Sequence, residues 1–108
     1  MSEVDREAIF TALADPSRRL ILMRLQARNG QTLSQLGEGL PITRQAVSKH
    51  LKILETANLL FSEKSGRERL HFLNPVPLRA VAIRWLERFD ETPMGLLAQR
   101  EKGGKRGG

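Results

Sequence analysis

The stretch LPITRQAVSKHLKILETANLL, from Leu40 to Leu60, constrains this chain more than any other part of it. On a helical wheel of about 100° per residue, Arg44, Gln45, Ser48, Lys49 and Lys52 fall in one sector of roughly 140°, with Glu55 inside its edge. Val47, Leu51 and Leu54 fall on the opposite side. One face can therefore dock on a core while the other presents long donors and a hydroxyl. Thr43 has the chemistry of an N-cap, and Ile42 and Val47 then stand at the two positions of a hydrophobic staple. Asn58 suits the left-handed residue that follows a helix. An isolated helix with basic residues on one face is most often a solvated surface helix, so the flanking chain decides what this one is for.

In chain order, Val4 to Leu13 reads as a first helix with apolar Val4, Ala8, Ile9, Ala12 and Leu13. Asp15-Pro16 is an N-cap followed by proline at N1, and it opens a second helix to about Arg28 whose buried side is Leu20, Ile21, Leu22 and Leu25. Asn29-Gly30 ends it. Thr32-Leu33-Ser34-Gln35 has capping-box spacing and starts a short third helix, broken by Gly37, Gly39 and Pro41. A short helix, a tight turn and a capped helix with a polar face make a helix-turn-helix. Beyond Asn58 the pattern becomes extended. Leu59 to Lys64 and Arg67 to Asn74 flank Ser65-Gly66, a two-residue link of the kind that closes hairpins. Leu70 and Phe72 alternate with Arg69 and His71, so the first pair is expected to pack and the second to face solvent. Lys64, Arg67 and Arg69 gather at the tip, which makes the hairpin a basic wing.

From Pro75 to Glu91, the residues Leu78, Val81, Ala82, Trp85, Leu86 and Phe89 form a continuous apolar stripe. On so short a chain this stripe lies past the elements that complete a core. The expectation is a homodimer in which Val4 and Ala8 of the first helix and the six stripe residues pack against their symmetry mates. The competing expectation is that the stripe folds back on its own core.

The fold class that results is mainly α with a small β-hairpin, a winged helix-turn-helix of about five helices. One domain spans residues 1–92, and residues 93–108 form a C-terminal segment ending in a basic tail. The chain's net charge of +6 favours polyanionic partners. The end EKGGKRGG carries three cations and one carboxylate, so the remainder still keeps +4; with no apolar residue, this end is expected to be disordered. No cysteine is present, which excludes disulfides and thiolate metal sites. No apolar run approaches the roughly 20 residues of a membrane span, and the first residues do not open a signal peptide, so a cytoplasmic location is expected.

Helix, helix, helix-turn-helix, hairpin and terminal helix, in that order, resemble the ArsR-type winged-helix repressors. The resemblance covers about Ile9 to Phe89 and is carried by ALADPSRRLILMRL, by ITRQAVSKHLKILETANLL and by GRERLHFL. It implies a dimeric repressor that binds an inverted-repeat operator in double-stranded DNA and lets go on a signal. Many members of that family sense metals. Here Thr32 to Leu40 has no cysteine, Pro75 to Glu91 has no histidine, and His50 and His71 lack ligand spacing. The chain resembles the metal-independent members, no cofactor is expected, and the effector is not apparent from sequence.

Chemistry then assigns roles. Gln45 can bind adenine through N6 and N7, and Arg44 can take guanine or a phosphate. Ser48 can reach a base or a backbone oxygen. Lys49 and Lys52 suit phosphates, as do Lys64, Arg67 and Arg69 of the wing. Thr43 is a cap whose place at a helix N-terminus also suits an anion. His50 falls beside Leu54 on the wheel and reads as structural; it is no catalytic partner for Ser48, because i and i+2 point to different faces. His71 reads as an outer residue of the wing, touching phosphate or nothing. No nucleophile with a matched base, no paired carboxylates and no phosphate-binding glycine loop support an enzyme. The alternative to a DNA-binding regulator is a winged-helix protein-interaction module.

Overall fold

The computed structural model describes residues 2–90, with side chains to residue 84. Five helices and one hairpin follow in order: α1 (Glu3–Leu13), α2 (Pro16–Ala27), α3 (Leu33–Gly37), α4 (Arg44–Thr56), β1 (Leu60–Ser65), β2 (Glu68–Leu73) and α5 (Pro75–Asp90). The local signals act where the residues place them. Asp15 accepts from the backbone N–H groups of Ser17 and Arg18 at the start of α2. Thr32 and Gln35 close a capping box on α3, and Thr43 accepts from Ala46 N–H at 3.0 Å to start α4. Asn58 ends α4 with φ 63°, in the left-handed region. α1 begins earlier than the apolar pattern alone requires, because Ser2 and Asp5 form a reciprocal cap.

The carboxyl of Asp15 lies below its ordinary value. Burial opposes its ionisation, but the hydrogen bonds from the backbone N–H groups of Arg18 and Ser17, with smaller charge contributions from the His50 and Arg18 side chains, outweigh burial.

The core is built from one face of every helix: Ile9 and Ala12 of α1, Ile21, Leu22 and Leu25 of α2, Leu36 of α3, and Val47, Leu51 and Leu54 of α4. Leu59, Leu60 and Val81 close it. Each fully buried Leu or Ile contributes about 1.5–3 kcal/mol relative to exposure. The close approach of α3 to α4 depends on Gly37, because a Cβ there would lie 2.8 Å from Val47 Cγ2.

Three arginines of α2 hold the helices together through carbonyls left open at helix ends. Arg18 donates from Nε to Ala12 O at 2.7 Å and from Nη2 to Thr11 O at 3.1 Å. Arg19 donates to Leu13 O at 2.7 Å. Arg24 donates to Leu36 O at 2.9 Å and to Glu38 O at 2.7 Å, closing the end of α3. Much of the positive charge on α2 is therefore structural.

The hairpin departs from the sequence reading in two ways. Ser65 is a strand residue opposite Glu68, so the two-residue turn is Gly66-Arg67 rather than Ser65-Gly66. Gly66, at φ 64°, occupies the first central position, where a right-twisting two-residue hairpin favours glycine. The packing side of β2 is also the opposite one. His71 is buried at 7% exposure, whereas Leu70 and Phe72 are half-buried on the other face. On its other edge β2 pairs with Gln31: His71 N–H donates to Gln31 O at 2.8 Å, and Gly30 N–H donates to His71 O at 2.8 Å. That pairing turns the His71 face inward. Phe61 and Phe72, facing partners in the register, stack on the outer side with ring centroids 5.3 Å apart.

Candidate nucleic-acid interface

All nine residues assigned to nucleic-acid contact are exposed: Thr43, Arg44, Gln45, Ser48, Lys49, Lys52, Lys64, Arg67 and Arg69. The first six stand on α4 or its cap. Val47, Leu51 and Leu54 anchor that helix in the core, so its polar face is presented by default. At about 1.5 Å per residue the thirteen residues of α4 extend roughly 20 Å, and the major groove of B-DNA, about 12 Å wide, admits such a helix.

The exposed face of α4 divides into two stripes. Arg44, Ser48 and Lys52 recur at i, i+4 and i+8, and they turn toward the wing across a cleft of about 430 Å³. Arg67 and Arg69 line the same cleft from the wing, and Ser34 lines it from α3. Gln45 and Lys49 lie farther round α4 and do not line it. Lys64 stands opposite Arg69 at the wing tip. Two like charges directly opposed across a ladder weaken a hairpin, so this pair is better accounted for by an anion than by stability.

Several of these side chains already have partners. Arg44 donates to Ser34 Oγ across the turn, and Arg69 donates to Ser62 Oγ at 2.9 Å. Both guanidiniums are thereby held near the cleft wall. Ser34 was not singled out from sequence, and nothing in its local pattern could have found it, since the contact spans ten residues. Glu55 and Glu68 also line the cleft and temper its positive charge.

The two histidines differ. His50 is half-buried and its Nδ1 accepts from Arg18 Nη1 at 3.1 Å, a structural tie between α4 and α2. His71 lines the cleft from beneath the wing.

The residues assigned to a dimer interface fall in different settings. Val4 is 75% exposed and Ala82 is exposed. Ala8 and Leu78 are half-buried against the chain's own core, and Val81 is buried within it. Phe10 on α1 and Val76 and Ile83 on α5 are further exposed apolar side chains. The side chains of Trp85, Leu86 and Phe89, and residues 93–108, lie outside the described residues. Among the described residues no helix is long and apolar enough to cross a membrane, and no group of three His, Cys, Asp or Glu side chains is placed to hold a metal ion.

Comparison with known proteins matches this geometry. Residues 13–61 fit the family model described as a helix-turn-helix domain. An uncharacterised HTH-type transcriptional regulator of Bacillus subtilis, YuzN, is 43% identical over 89 residues, covering 77% of this chain and 97% of that protein. The transcriptional repressor SdpR of Bacillus subtilis is 31% identical over 81 residues, covering 75% of this chain and 88% of its own. Among solved structures, that of an ArsR family transcriptional regulator superposes with a TM-score of 0.75 at 30% identity, covering 84% of this chain and 92% of that one.

Proposed function

Because the chain belongs to the ArsR-type family of winged helix-turn-helix regulators, and so is a DNA-binding transcriptional regulator, we propose that it acts as a dimeric repressor on an inverted-repeat operator. In this reading α4 enters the major groove and the wing follows the adjacent backbone. What carries the reading is the placement of Arg44, Ser48 and Lys52 opposite Arg67 and Arg69 across one cleft, on a helix whose other side is wholly committed to the core. A protein-binding surface would not need that concentration of cations. Repression follows SdpR, a relative named as a repressor.

The two stripes of α4 divide the work. Gln45 reads a base edge, while Arg44 and Lys52, facing the wing, take phosphates. Gln45→Ala is expected to cost about 1–3 kcal/mol on the operator and little on random DNA. Arg67→Ala should weaken both DNAs alike and flatten the salt slope by about one unit. Titrations on an operator selected from a random pool and on a scrambled duplex test this. Equal losses for Gln45→Ala on both DNAs would remove its reading role.

A symmetric operator requires two copies of α4 about one duplex turn, roughly 34 Å, apart. The exposed apolar residues of α1 and α5 (Val4, Phe10, Val76 and Ile83) provide the surface on which two chains would pair. Sedimentation at micromolar concentration should give a species of twice the 12.2 kDa chain mass. A clean monomer would sink the dimer.

A further inference from the structure

His71 has no part in the reading above, yet it is the one histidine that lines the α4–wing cleft. Its Nδ1 lies 3.0 Å from Gln31 O. A carbonyl oxygen can only accept, so Nδ1 carries a hydrogen and donates. Gln31 is itself buried, and its Nε2 donates to Arg24 O at 2.8 Å and to Arg28 O at 2.6 Å. The tautomer of His71 is therefore set by a relay that runs from the end of α2 into the wing. The other ring nitrogen, Nε2, has no hydrogen-bond partner among the described residues, although the residue is more than nine-tenths buried.

We propose that the cleft between α4 and the wing seats a backbone phosphate of the DNA at its base, with His71 Nε2 as a buried ligand there and the arginines at its rim holding neighbouring phosphates, so that binding DNA takes up a proton. This rests on the DNA-binding reading. With Nδ1 committed as a donor, the neutral ring has only a lone pair at Nε2, and a phosphate oxygen, which also only accepts, would be repelled. Protonation turns Nε2 into a charged donor, and the hydrogen bond to phosphate becomes charge-assisted. The seated phosphate and the added proton therefore favour each other.

The other groups around the cleft set the balance. From α4 come Arg44, Lys52 and Glu55; from the wing come Arg67, Glu68 and Arg69; α3 and its approach contribute Thr32 and Ser34, with no charge. Four of these groups are cations and two are carboxylates. A seated phosphate offsets the cations and tips the balance toward the protonated ring. His50 provides the control, because it faces Arg18 rather than the cleft. The sequence has only these two histidines and no cysteine.

The test is the affinity of the full chain for a random-sequence duplex at fixed salt, between about pH 6 and pH 8, the range in which histidine charge changes. His71→Asn keeps an amide donor where Nδ1 stands and removes Nε2. Wild type and His50→Asn should bind several-fold more tightly at the acid end; one linked proton allows at most about tenfold per pH unit. His71→Asn should match wild type at the alkaline end and lose most of the pH response. A wild-type response retained in His71→Asn, or no response in wild type, would overturn the proposal. If circular dichroism shows that His71→Asn does not fold, calorimetric titration of His50→Asn in two buffers of different ionisation heat decides. Net proton uptake upholds the proposal and its absence overturns it. Failure of wild type to bind any duplex at any of these pH values would instead bring down the DNA-binding reading, and this inference with it.

Discussion

Replacing Arg44, Arg67 and Arg69 together by alanine should flatten the slope of log affinity against log salt by about 2.7, because each phosphate contact contributes roughly 0.9. Referred to about 1 M salt, where the electrostatic contribution nearly vanishes, that amounts to a loss of roughly 10²- to 10³-fold at about 0.1 M. The loss should be the same on operator and random duplex, since phosphates carry no sequence information. All three side chains are exposed and line one cleft, and neither Arg44 nor Arg69 donates to a carboxylate: their partners are the hydroxyls of Ser34 and Ser62. Removing them should therefore leave the unfolding midpoint nearly unchanged. Anisotropy titrations from low to high salt, with a urea melt of the same sample, test both halves of the expectation. An unchanged salt slope would place the DNA elsewhere on the molecule.

The second large effect falls on stability. Leu54 is fully buried on the core side of α4, and its carbonyl accepts from Leu59 N–H at 2.9 Å where the chain leaves the helix for the wing. Leu54→Ala should cost about 2–5 kcal/mol through lost burial and the cavity left behind. Against a typical total of about 5–15 kcal/mol this is a large share, and each kcal/mol lowers the thermal midpoint by about 4–8 °C in a domain of this size. Urea unfolding at matched protein concentration measures it, since any self-association would itself shift the midpoint. A loss below about 1 kcal/mol would mean that α4 is not seated through this residue.

These two substitutions probe opposite faces of α4, and the division between the faces is legible in the sequence. Helical periodicity separated Val47, Leu51 and Leu54 from Arg44, Ser48 and Lys52, and the caps at Asp15, Thr32 and Thr43 act at the residues expected. Such signals are local. A cap needs its own residue and two or three neighbours, and an apolar stripe needs only one helix.

The wing shows where local information ends. Alternation divides a strand into two faces but says nothing about which face is covered. On β2 the face was chosen by pairing with Gln31, forty residues earlier, and this buried His71 in place of Leu70 and Phe72. The turn shifted by one residue for a related reason, because strand register is a property of both strands together. The arginines of α2 make the same point in charge. Arg18, Arg19 and Arg24 count toward a basic protein in the sequence, but in the fold they satisfy the carbonyl ends of α1 and α3.

Periodicity, capping chemistry and glycine placement were thus enough to specify the order of the helices, the reading helix and its exposed donors. Each of those depends on residues within a few positions of one another. Which cations meet around one cleft, which α4 stripe faces the wing and where His71 lies were decided by tertiary contacts ten to forty residues apart. Contacts at that range depend on how the elements pack, and no single element carries that information.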